Sequence, residues 1–106
     1  MTRADIVAMK ERAEKYIASW HGDRRFVGRD EEIVSLADLA LRLIEDLTGM
    51  VSNACSRTTK GMLDANGMST TMDAMETLAE VGVLRINTRR GNLMLLATWT
   101  DEEAKG

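Results

Sequence analysis

Apolar side chains at Ile6, Met9, Ala13, Tyr16 and Trp20 recur at steps of three, four, three and four. That spacing places them on one stripe of a helix. Thr2 can cap this helix near Arg3, and Asp5 sits well in its first turn. The run HGDRRFVGRD interrupts the pattern with two glycines and several charges, and reads as a connecting loop. A second helix is predicted from about Asp30 to Met50, on the stripe Ile33, Leu36, Ala40, Leu43, Leu47 and Met50. Ala37 and Ile44 widen that stripe. Two such helices joined by a short loop predict an antiparallel helical hairpin or a dimerisation arm.

The pattern changes after residue 51. Residues 52 to 64 read as a less regular helix, weakened at Gly61 and ended by Asn66 and Gly67. Ser69 or Thr70 then caps a further helix whose apolar side is Met72, Met75, Leu78 and Ala79, with Gly82 at its close. Val83 to Asn87 and Leu93 to Trp99 alternate as strands around a tight turn. With Arg90 and Gly91 as a two-residue loop, Ile86 faces Leu95 and Leu84 faces Ala97. Leu84, Ile86, Leu93, Leu95, Ala97 and Trp99 then share the core face; Arg85, Asn87, Met94, Leu96 and Thr98 share the other. The fold class expected is mainly α with a C-terminal β-hairpin. It is organised as one domain: helical hairpin 1–51, a mixed unit 52–100 and an acidic tail 101–106.

Composition narrows the chemistry. The chain has 106 residues, 44% hydrophobic and 29% charged, with net charge −3. Residues 1–51 carry 8 basic and 10 acidic side chains, residues 52–100 carry 5 and 4, so any basic site is local and lies in the second half. Eight methionines suggest a pliable core, with Met62, Met68, Met72 and Met75 read as core. One cysteine, Cys55, and one histidine, His21, leave no ligand set for a structural metal. No glycine-rich phosphate loop and no arrangement of paired catalytic carboxylates is recognisable. The expectation is a non-enzyme without cofactor or metal. The charged N-terminal run does not read as a signal peptide, and no apolar run reaches membrane-spanning length, so a cytoplasmic setting without membrane partners is expected.

The stretch MLDANGMSTTMDAMETLAEVGVLRINTRRGNLMLLATW, 62–99, resembles a winged helix-turn-helix domain. The resemblance implies that the helix opening with Ser69, Thr70, Thr71 and Asp73 enters the major groove. It implies that Arg89 and Arg90 form a wing on phosphate or the minor groove. Arg57 and Lys60, on the expected preceding helix, would add backbone contacts.

Two functions follow. One is a small DNA-binding transcriptional regulator, dimerised through Ile33, Leu36, Ala40, Leu43 and Leu47 so that two units meet duplex DNA. The other is a small protein-binding inhibitor of the kind phages encode, possessing no catalytic activity and imitating DNA in one variant. Asp73, Glu76 and Glu80, without a basic residue on the same helix, lean toward the second. A homodimer is expected under both.

Overall fold

A computed structural model describes residues 1–100; the expected acidic tail lies outside the described residues. The architecture is mainly α with a C-terminal β-hairpin. The chain divides into two compact units, Met1 with Arg3–Ile44, and Thr2 with the chain from Glu45. The division falls inside a helix, seven residues before the boundary expected at 51/52.

In the first unit, helix α1 spans Arg3–Ser19 and buries Ile6 and Ala13. Helix α2 spans Gly28–Ala54 and buries Ala37 and Ile44 in this unit. Tyr16 and Met9 line a groove with Asp30 and Ile33, while Met1 and Ile6 line another with Leu36 and Ala40. The two helices therefore run antiparallel, as the stripes predict. Lys10 Nζ of α1 lies 2.6 Å from Asp38 Oδ1 of α2, and that carboxylate holds the Lys10 pKa above its ordinary value.

The linking loop is more ordered than its composition suggests. Asp23 accepts from the backbone N–H of Arg25 at 2.9 Å and opens a 3-10 turn over Arg24–Val27. Trp20 donates its indole N–H to the Asp23 carbonyl at 2.9 Å and lies between Tyr16 and Phe26. Gly22 passes so close to the indole that a Cβ would meet Trp20 Cζ2 at 2.8 Å. The turn carries the chain into α2 two residues before the expected Asp30.

The second unit begins in the last turns of α2. The expected helix over 52–64 does not form. α2 runs to Ala54, where Cys55 N–H still bonds the Val51 carbonyl, and a small hairpin follows. Its strands are β1, Ser56–Arg57, and β2, Leu63–Asp64. The cause is local. Thr58 accepts the Gly61 N–H on its carbonyl at 2.9 Å and the Met62 N–H on its hydroxyl at 3.1 Å. Gly61 adopts φ +81, a left-handed conformation that stops a helix. Helix α3 spans Ser69–Glu80; strands β3, Leu84–Arg90, and β4, Met94–Trp99, form the terminal hairpin. Gly82 at φ +81 closes α3, with Val83 N–H returning to the Leu78 carbonyl at 2.9 Å.

The sheet is antiparallel in the order β1-β2-β4-β3. One face carries the buried Leu63, Ala97, Leu95 and Leu84; α3 packs on β3, and its Met72, Met75 and Leu78 are fully buried. Val51, near the end of α2, is also fully buried. The methionines behave as core: Met72 and Met75 are inaccessible, and Met62 and Met68 are half-buried.

The terminal hairpin differs in register from the expectation. Leu84 pairs with Trp99 and Ile86 with Ala97, two residues away from the two-residue-loop alignment. Gly91, Asn92 and Leu93 form the turn, with Leu93 N–H bonding the Arg90 carbonyl at 3.0 Å. A shift of two preserves the faces of Leu84, Ile86, Leu95, Ala97 and Trp99. It removes Leu93 from the core face, leaving it 75% exposed at the tip. A bulge at Asn87 then reverses the alternation, so that Thr88 pairs with Leu96, Arg89 with Leu95 and Arg90 with Met94.

Candidate functional site

Helix α3 begins at Ser69, and the residue in the capping position is Met68, with no side-chain cap. The expected cap by Ser69 or Thr70 is therefore corrected: both lie inside the first turn and are exposed. Thr71, grouped with them as a candidate contact, turns inward and is buried beside Met72. Asp73 faces out, and its carbonyl accepts the Thr77 hydroxyl at 3.2 Å. Further along, Glu76 and Glu80 continue the outward stripe at steps of three and four. The exposed side of α3 is thus hydroxyl and carboxylate, with no cation of its own.

Arg89 does not stand clear as a wing arginine. The bulge places it on the face of β3 that α3 covers, where its guanidinium pairs with the Glu76 carboxylate. Its Nε–H donates to the Gly91 carbonyl at 3.1 Å. Arg90 stays exposed on the opposite face, and Arg85 shares that face. Strand alternation already put Arg85 there, although it was not among the candidate residues.

Arg57 and Lys60 sit elsewhere than expected. Arg57 is on β1 with Nη1 3.5 Å from the Gly61 carbonyl, and Lys60 is in the β1–β2 turn, so neither is helical. β1 and β3 are opposite edges of a four-stranded sheet. At about 4.8 Å per strand, three spacings put the two edge strands that carry the basic groups about 14 Å apart. Ser69, Thr70 and Asp73 come together on α3; the five cationic side chains of this half do not form one patch.

Cys55 is half-buried just after α2, with Sγ 3.7 Å from Met75 Sδ. Burial, and then the Asp64 carboxylate, push its thiol pKa up, while Arg57 opposes them. It is held as a neutral thiol, unsuited to nucleophilic work at neutral pH. Near His21, the Asp23 carboxylate is engaged by Arg25 at 2.7 Å, and the hydrogen bonds from Arg25 hold its pKa below the ordinary carboxylate range. Among the described residues there is no group of three or more His, Cys, Asp or Glu placed to hold a metal.

The residues expected at a dimer seam lie differently from one another. Ile33, Ala40 and Leu47 are half-buried. Leu36 and Leu43 are 66% and 54% exposed, joined by Leu39 at 53% and Met50 at 40%. The residues that only widened the stripe, Ala37 and Ile44, are the buried ones. Leu39 was missed, although it stands three residues after Leu36 and four before Leu43. Beside Leu36, an apolar groove of about 220 Å³ opens between α1 and α2, lined by Met1, Ile6, Met9, Ile33 and Ala40 among others.

No helix among the described residues is long and apolar enough to cross a membrane. The chain matches no protein-family model, no curated protein and no solved structure.

Proposed function

We propose that this chain is a small, non-catalytic protein-binding module that works in association with a second copy of itself. The observation that carries this reading is the outer face of α2, where Leu36, Leu39, Leu43 and Met50 stand together half or more exposed or nearly so. Contiguous apolar surface of this kind on a small protein marks a contact with another macromolecule. Cytoplasmic residence, without cofactor or metal, accompanies this proposal.

Reading duplex DNA as a winged-helix regulator is the second proposal, favoured by exposed Arg85 and Arg90 on one face of the terminal hairpin. Charge placement weighs against it. The helix that would enter the groove presents Asp73, Glu76 and Glu80, and Glu76 engages Arg89. Carboxylates facing phosphate cost affinity.

Fluorescence anisotropy of a labelled random duplex, titrated at low and moderate salt, separates the two. The expected result is no binding tighter than about 10⁻⁴ M at moderate salt, the weak end of non-specific binding. Tighter, salt-sensitive binding that disappears in Arg85→Ala/Arg90→Ala would overturn the protein-binding reading. Sedimentation equilibrium tests the self-association: a concentration-dependent dimer is expected, and a monomer at all concentrations would refute it.

A further inference from the structure

We infer that two copies of this chain pair antiparallel through α2, with Leu43 on the two-fold axis. The inference rests on the self-association proposed above and specifies its geometry. It starts from the spacing of the apolar face. Leu36, Leu39, Leu43, Leu47 and Met50 follow one another at steps of three, four, four and three. The series reads the same in both directions about Leu43. A two-fold axis through an antiparallel helix pair demands that symmetry, because each contact must recur with the roles exchanged. Leu43 then meets the partner's Leu43, Leu36 meets the partner's Met50, and Leu39 meets the partner's Leu47.

Charge selects the same direction. Arg42 and Asp46 are exposed on one flank of the stripe. In an antiparallel pair like flanks meet, and each Arg42 lies within about 3 Å along the axis of the partner's Asp46, at 1.5 Å rise per residue. The two ion pairs form reciprocally. In a parallel, in-register pair opposite flanks meet, so the reciprocal Arg42–Asp46 pairs are lost, and Glu32, one turn before Leu36 on the same stripe, lies beside the partner's Glu32. That loss and that like-charge juxtaposition disfavour the parallel form. Antiparallel pairing instead carries Glu32 to the level of the partner's Ala54.

The other flank of α2 is already used within the chain, since Ala37, Ile44 and Val51 are buried. A single helix pair falls short of the ~1,200–2,000 Å² of a standard interface, so the dimer is weak. A dimer of this strength exchanges rapidly and is populated only at high protein concentration.

Cysteine cross-linking tests the direction, in a Cys55→Ser background. Both test positions are exposed, so neither substitution disturbs the fold. Leu43→Cys places two thiols face to face on the axis, and mild oxidation should give a disulfide-linked dimer. Leu36→Cys places them about 21 Å apart along the axis, beyond any disulfide, and should give none. Cross-linking at residue 36, with or without 43, would mean a parallel pair and overturn the inference. Failure at both positions, in a protein that sedimentation shows to be dimeric, would place the contact on another face and also overturn it. A protein that stays monomeric removes the self-association itself, leaving a different protein as the occupant of the face. Charge reversal gives an independent readout. Arg42→Asp and Asp46→Arg should each weaken the dimer about fivefold, and the double variant should recover the original Kd. Absence of that recovery would refute the reciprocal pairing.

Discussion

Leu93 and Leu95 are two residues apart, and strand alternation gives them the same face, yet the fold treats them oppositely. Leu95 is fully buried on β4 between β2 and β3, while Leu93 is 75% exposed at the hairpin tip. Truncation of each to alanine measures the difference. At Leu95 the change removes buried aliphatic carbon worth about 0.8 kcal/mol per methylene, and it leaves a cavity at a fully buried position of the sheet. Leu→Ala in such a site costs roughly 2–5 kcal/mol, out of a total stability of about 5–15 kcal/mol for a small domain. At Leu93 the removed atoms are already in water, and a change within about 0.5 kcal/mol is expected. Urea unfolding followed by tryptophan fluorescence reads both, with Trp20→Phe in the background so that Trp99 alone reports on the sheet. With a slope of about 2 kcal/mol per molar, Leu95→Ala should lower the midpoint by about 1–2.5 M and Leu93→Ala by less than about 0.3 M. A loss under about 1 kcal/mol at Leu95, or an equal loss at both positions, would refute the register described for the terminal hairpin.

Two further outcomes follow from the second unit. A double-mutant cycle on Arg89→Ala and Glu76→Ala should give a coupling of roughly 0.2–1 kcal/mol, the range of a partly exposed ion pair, and it should shrink with added salt; additive losses would mean the pair contributes nothing. For Cys55, iodoacetamide alkylation of the folded protein should rise with pH along a curve displaced above that of the urea-unfolded chain, because burial and Asp64 raise the folded thiol pKa. The matching stability effect has a definite sign: below the unfolded thiol's pKa both states are neutral and stability is intact. As pH climbs above it, the unfolded chain ionises first and stability falls until the folded thiol also ionises. Coincident folded and unfolded alkylation curves would contradict the half-buried placement.

Much of the first half was legible because helical periodicity is a long signal. Seventeen and 27 residues of helix carry several turns of repeat, and the antiparallel hairpin follows from the short loop between them. Periodicity shows the width of an apolar stripe but not which side a neighbouring helix covers. Ala37 and Ile44, at the margin of the stripe, are its buried seam, while Leu36 and Leu43 face water. Small residues at 37 and 13 let helices approach closely, so burial follows the small side chains rather than the large ones. The helix expected over 52–64 failed for a different reason. Its periodic signal is short, fewer than four helical turns, and there the Thr58 hydroxyl and Gly61 offered the backbone a turn instead.

The candidate site turned on one residue that alternation cannot see. Along β3 a strict two-residue repeat would send Thr88 and Arg90 toward α3 and Arg89 toward water, making Arg89 a free wing cation. The bulge at Asn87 inverts this. The Asn87 amide donates to the Thr98 hydroxyl at 3.3 Å and approaches Met62 Sδ at 3.6 Å, which anchors the extra residue on the outer face. Either register brings an arginine under α3, because Arg89 and Arg90 are adjacent and one of them must face inward. The register adopted brings in the one whose guanidinium meets a carboxylate, Glu76. Lining up an arginine with no partner there would leave a charge partly desolvated and uncompensated. The acidic character of α3 and the bulge in β3 are thus two parts of one arrangement. The carboxylate that makes α3 a poor groove-reading helix is the same one that takes the nearest arginine away from the wing. Only Arg85 and Arg90 remain outward on this hairpin, on the face of the sheet that α3 does not cover, so the acidic stripe of α3 and the two free arginines point to different sides.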